Sequence, residues 1–271
     1  MCAQINLKQK KKRRAFPGWL IFVAAGVVNG VIILVSVVLS RPEYYIPLPE
    51  PQGKIVGGSI AFDGEFFWTA RMLVSFGAET SHEIVQFDAE GNVINVFRPE
   101  RDFRGLAFDG TRLWTADAAG SGNYIMNGKF YTVDMGNGRL VEQFTINRDY
   151  FLDGIGASEY RLWVVGRYRV EESGAFLWEI DQYTRTIAHE VTLPAGDLQT
   201  CSGITYFKDH IYAVVGIVHK EVLKISTYEG RIIERFDFSG RQINGITNNG
   251  NDILVADGEE HKFLTLNDNE P

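Results

Sequence analysis

Two cysteines in 271 residues, Cys2 and Cys201, exclude a disulfide framework as the source of stability. The five histidines, His82, His189, His210, His219 and His261, are scattered without metal-ligand spacing, so no metal centre is expected. There is no G-x-S-x-G elbow, and Gly154-Ile155-Gly156 lacks the third glycine of a dinucleotide loop. No cofactor is expected. No asparagine lies in an N-x-[ST] sequon, which fits a bacterial periplasm better than a eukaryotic surface. Charge is missing altogether from residues 19–39, WLIFVAAGVVNGVIILVSVVL.

That uncharged run is 21 residues long. As a helix it would span about 31 Å, the thickness of a bilayer hydrocarbon core. A secretory signal peptide has a shorter apolar stretch and a small-residue cleavage site, and VLS at 38–40 is a poor one. The reading is a basic cytoplasmic tail over 1–16, one transmembrane α-helix over 17–40 and a periplasmic domain over 41–271. Six of the seven residues in KQKKKRR (8–14) are basic, and the positive-inside rule puts that end in the cytoplasm of an inner membrane. Lys10, Lys11, Lys12, Arg13 and Arg14 are placed to touch anionic lipid headgroups. Setting those six charges aside takes the net charge from −7 to −13, so the domain would repel phosphate and no nucleic-acid partner is expected. Gly26, Asn29 and Gly30 form a small-xxx-small face with a polar neighbour, a pattern that lets membrane helices pack closely. Only a few residues separate Ser40 from the first expected strand at Tyr44, a short tether that makes orientation matter.

What fills the domain is repetition. GSIAFDGEFFWTA (58–70) and RGLAFDGTRLWTA (104–116) align residue on residue, 46 apart. Looser copies centre on Ile155, Ile204 and Ile246, at spacings of 49, 49 and 42 from anchor to anchor. One past each anchor stands a small residue, Ala61, Ala107, Gly156, Thr205 or Thr247. Seven and eight past it stands an apolar pair, Phe67-Trp68, Leu113-Trp114, Leu162-Trp163, Ile211-Tyr212 or Ile253-Leu254. A third apolar run follows each copy, and a turn and fourth run follow the first four. Four short strands in 42 to 49 residues is the content of a propeller blade. The fifth copy stops after its third run, while YYIPLP (44–49) is a spare strand at the other end. The fold expected is all-β, a five-bladed β-propeller closed by an N-terminal strand and preceded by the membrane helix.

In a propeller the first strand of each blade lines the axis. Two residues before the anchors come Gly58, Arg104, Asp153, Ser202 and Asn244. They are expected to ring the channel mouth, either as a polar binding site or as a structural plug with Arg104 and Asp153 paired. Two long loops, 117–128 and 166–174, put Tyr124, Ile125, Met126 and Tyr168 in positions suited to partner contact.

The blade pattern G-[LI]-x6-L-[WY], over residues 44–267, resembles the glutaminyl-cyclase (glutamine cyclotransferase) type of five-bladed propeller. The resemblance implies cyclisation of an N-terminal glutamine by a Glu in a phrase like F-G-E-G-[LI]-T. In DFRGLAF and YFLDGIGA that place is held by Arg104 and Asp153. Arg104 has no carboxylate, and that of Asp153 is one methylene shorter, enough to matter for a positioned acid or base. The expected function is therefore a non-catalytic single-pass subunit whose propeller braces or caps a larger membrane complex. Photosynthetic reaction-centre, light-harvesting or respiratory assemblies are the kind of host, and other membrane-protein subunits the partners. The alternative is a membrane-anchored glutaminyl-cyclase-like acyltransferase with Asp153 as its catalytic residue.

Overall fold

A computed structural model describes residues 23–28, 31–36, 60–73, 81–101, 103–117, 125–168, 174–193, 201–216, 220–259 and 262–266. The chain divides into two compact units, Met1–Glu43 and Tyr44–Pro271.

The described part of the first unit is a hairpin. Strands β1 (Val23–Val28) and β2 (Val31–Ser36) pair antiparallel, with Val28 opposite Val31. A helix was expected here, and none of the described residues belongs to a helix long and apolar enough to cross a membrane. The sequence contains both tendencies. Val23, Val27, Val28, Val31, Ile32, Ile33 and Val35 are β-branched and favour strands, and Asn-Gly between two such runs is a strong hairpin signal. Gly26 lies in β1 opposite Ile33. Asn29, Gly30 and the basic run Lys10, Lys11, Lys12, Arg13 and Arg14 lie outside the described residues.

The second unit is the five-bladed propeller. The first blade is β3 (Ile60–Phe62), β4 (Phe67–Leu73), β5 (Ser81–Phe87) and β6 (Val93–Phe97), paired in that order. The second opens with β7 (Phe103–Phe108), β8 (Leu113–Asp117) and β9 (Ile125–Val133). Its outer strand is the first half of β10 (Leu140–Ala157), whose second half is the inner strand of the third blade. That blade continues with β11 (Arg161–Tyr168), β12 (Ala175–Asp181) and β13 (Thr186–Leu193), so the two blades form one seven-stranded sheet. The fourth is β14 (Gly203–Phe207), β15 (His210–Val215), β16 (Glu221–Ser226) and β17 (Ile232–Asp237). The fifth has three described strands, β18 (Ile243–Asn248), β19 (Ile253–Asp257) and β20 (Lys262–Leu266). The closing strand expected at 44–49 lies outside the described residues.

The repeated apolar pair explains why the ring holds. Neighbouring residues of a strand face opposite sides of its sheet. Trp68 therefore packs in the seam between blades one and two, while Phe67 packs between five and one. Leu113 and Trp114, Leu162 and Trp163, Ile211 and Tyr212, and Ile253 and Leu254 divide between successive seams in the same way. Five clusters fill five seams. The last joins Leu254, Ala256 and Phe263 to Ile60, Phe67 and Phe87, so the ring closes through its core. Phe67 and Phe263 have ring centroids 4.9 Å apart across that closure.

Candidate functional site

The inner strands have two ends, and they differ. At the C-terminal end each strand runs into a short turn. Asp63 accepts hydrogen bonds from the backbone N–H of Glu65 and Phe66 (2.8 and 2.7 Å) and from Trp68 Nε1 (2.7 Å). Asp109 does the same for Thr111, Arg112 and Trp114 Nε1 (2.8, 2.7 and 2.7 Å). The repeated aspartate thus fixes the turn and the seam tryptophan at once. Burial alone would raise the Asp109 carboxyl, but the Trp114 indole and two backbone N–H groups outweigh it and hold it below the ordinary range. Between these turns lies an axial cavity of about 360 Å³. Its wall carries the five small residues of the repeat, Ala61, Ala107, Gly156, Thr205 and Thr247. Two of its polar side chains, Asn248 and Asn249, are already engaged. Asn248 Nδ2 donates to Thr205 Oγ1 and Tyr206 O (2.9 and 3.1 Å), and Asn249 Oδ1 accepts from the N–H of Asn251 and Asp252 (3.0 and 2.7 Å).

At the N-terminal end stands the expected ring. A local device separates two of its members from the ladder. Register shifts fall between Leu152 and Gly154, between Ile243 and Gly245, and between Arg104 and Ala107. Asp153 and Asn244 are the residues left over, as β-bulges near functional sites typically leave a side chain re-aimed. Gly105, within the third shift, has φ +72°. A Cβ there would come 2.4 Å from Ile155 Cγ2, so the glycine before the anchor lets neighbouring inner strands touch.

Asp153 is buried, its side chain 4% exposed. Its partner is not Arg104, as the sequence suggested, but Arg167 on β11. The guanidinium grips both oxygens, Nε to Oδ2 at 2.8 Å and Nη2 to Oδ1 at 2.9 Å. Arg167 lies on the strand hydrogen-bonded to Asp153's own, whereas Arg104, a blade away, reaches only as far as the Leu152 carbonyl at 3.3 Å. Burial pushes the Asp153 carboxyl above its usual value against the pull of Arg167 and Arg104. Two neighbours complete the cluster. The Cys201 thiol is buried and pushed up to about 12, first by burial and then by the Asp153 charge. Burial lowers Lys220, with Cys201 opposing. Ser202 Oγ is buried with no hydrogen-bond partner among the described residues. The Asn244 side chain lies against Gly258, where an added Cβ would meet Nδ2 at 1.8 Å. Gly58 lies outside the described residues.

The sequence missed Arg167, Cys201 and Lys220. A signal existed for the first. Twelve past the anchor the other copies carry Met72, Ala118, Gly216 and Gly258, so Arg167 is the one charge at that place. The expected partner loops fare differently. Tyr168 ends β11 and packs tilted against Phe176, with centroids 4.8 Å apart, so it lies against its own blade. The aromatic seam of Phe176 and Trp178 draws it inward. Ile125 and Met126 open β9, in register with Tyr150 and Asp149, and Tyr124 lies outside the described residues. Among the described residues no three His, Cys, Asp or Glu gather as a metal site.

Among solved structures the chain is similar to the Myxococcus xanthus glutaminyl cyclase, with TM-score 0.57 and 14% identity over 82% of this chain and 92% of that one. The likeness is one of fold. A subtype N10 neuraminidase-like protein of A/little yellow-shouldered bat/Guatemala has TM-score 0.44 and 14% identity, over 70% of this chain and 62% of that one. No protein-family model matches the chain, and no curated protein matches it in sequence.

Proposed function

We propose that the chain is a membrane-anchored, non-catalytic propeller subunit that braces a larger membrane complex on the periplasmic side. The observation that carries this reading is the clamp on Asp153. A general acid or base needs an oxygen free to face the proton it moves, and here one guanidinium occupies both. Anchoring rests on the 21 uncharged residues and the basic flank before them. A lone hairpin leaves unpaired backbone groups along both edges, which lipid does not tolerate, so in a bilayer the segment takes the helical form. Photosynthetic and respiratory complexes are the kind of host. The test has two parts. The full chain should co-purify with its host in mild detergent, and a reporter active only outside the cytoplasm should work after Pro271 and fail before Lys8. Loss of both results removes the reading.

A second reading is favoured by one observation. A buried carboxylate with a raised pKa, in the place where the resembled family carries its Glu, suits a cyclase-like acyltransferase acting on N-terminal glutamine. Pyroglutamate formation from a glutaminyl peptide by the wild-type chain, abolished in Asp153→Asn at unchanged melting temperature, would establish it in place of the first.

A further inference from the structure

The outer edge of the first blade differs from those of its neighbours. Strand β6 reads VINVF and carries no charge. Val93, Ile94 and Val96 are 47%, 46% and 42% exposed, and among the described residues β6 pairs only with β5. The other outer strands are blunted. The outer half of β10 has Glu142, β13 has Glu190 in an ion pair with Arg148, and β17 has Glu234, Arg235 and Asp237. A bulge does not distinguish them, because a register shift recurs in all four outer pairings. Proteins normally protect sheet edges with such charges, so an uncharged edge, apolar but for Asn95, marks a place meant to be covered.

At the C-terminal end of β6 a cavity of about 300 Å³ opens between segments 98–101 and 137–140. Among the described residues Arg98, Arg101 and Arg139 line it with one acid, Glu100. The buried Glu83 bridges Arg71 and Arg98, with Nε–O distances of 2.6 and 2.8 Å, and so fixes one side. Arg101 also lies within electrostatic reach of Glu142, which Lys129 already holds at 2.7 Å. The turn is pinned to the strand, since an added Cβ on Gly138 would meet Phe97 Cβ at 2.2 Å. A cavity whose described side chains are net positive, at the end of an uncharged edge on an acidic domain, is complementary to one chemistry.

We propose that β6 is the docking edge for an extended segment of a partner protein that adds as a fifth strand and places an acidic residue in the arginine cavity. Main-chain hydrogen bonds to β6 supply affinity, Val93, Ile94 and Val96 contact the incoming side chains, and Arg101 and Arg139 set register. The proposal rests on the bracing reading and names its surface.

The experiment pans displayed random short peptides against the full chain in detergent and measures binding of the synthetic winners. Winners should alternate β-branched residues and carry Asp or Glu at one end. Their affinity should fall about ten-fold with Ile94→Lys/Val96→Lys, and about as much with Arg101→Glu/Arg139→Glu, the size of losing one anchor contact. Raising salt should weaken the acidic end's share. Melting temperature should not move, because these side chains are exposed. Winners without acidic bias, or binding indifferent to the β6 lysines, would overturn the proposal. So would a dimer in sedimentation that the same lysines dissolve, since a second copy would then own the edge. Peptide binding that obeys these rules in a chain that co-purifies with nothing keeps the docking edge and removes the bracing role.

Discussion

The two ends of the inner strands obey different rules. At the C-terminal end the repeat places an aspartate in the first two copies, and each does the same three tasks: two backbone caps and one indole. At the N-terminal end the corresponding residues are Arg104, Asp153, Ser202 and Asn244, all different. One of them is a carboxylate whose burial works against its charge. Asp109 is held below its ordinary pKa and Asp153 above, though both are acids at the ends of inner strands. Where copies agree, the side chain serves the fold. At Asp153, where they differ, the side chain is carried against the cost of burying its charge.

The largest effect that would break this comparison is at the repeated end. Asp109→Ala should destabilise the propeller by about 3 kcal/mol, because it strands two N–H groups and a buried indole. Urea unfolding of the full chain in detergent measures it, and a loss under about 1 kcal/mol would mean that the turn holds without its cap. The third copy offers a gain. Ser158 stands where Asp63 and Asp109 stand, and the Trp163 indole N–H has no partner among the described residues. Ser158→Asp should add about 1 kcal/mol. The smallest effect is at the other end. Asp153→Asn should shift stability by less than about 1 kcal/mol at neutral pH, because burial already disfavours the charge and Arg167, 37% exposed, can turn to water. The pH dependences should also oppose. The lowered pKa of Asp109 gives stability that is present above the ordinary carboxylate range near pH 4 and lost as pH falls below it. The raised pKa of Asp153 gives stability that is lost as pH rises through the interval above about 4. Stability-against-pH curves of Asp109→Asn and Asp153→Asn should therefore change slope in opposite senses. Parallel curves would dissolve the contrast.

Much of this was legible before any coordinates. The five anchors, the small residue after each and the apolar pair eight residues on were read from spacing alone, and they became the inner strands, the axial wall and the five seams. Repetition made them readable, since a pattern stated five times averages out local accident. The hairpin at β1 and β2 was not read, because the length of the uncharged run points to a membrane helix, periodicity does not separate the two, and the Asn-Gly signal was outweighed. Asp153 could be named as a ring residue but not given its partner. Arg104 and Arg167 are both near it in the repeat frame, and only the register of β10 on β11 brings Arg167 within 2.8 Å. The same holds for Cys201 and Lys220, which reach the cluster from two different segments of the fourth blade. The apolar edge of β6 and the arginines beside it also share no sequence pattern. Sequence by itself determined the propeller, because burial of a repeated apolar pattern is a local property summed over copies. Tertiary structure alone decided which charges meet, because a charge pair depends on angles and distances between strands that no single stretch of chain specifies.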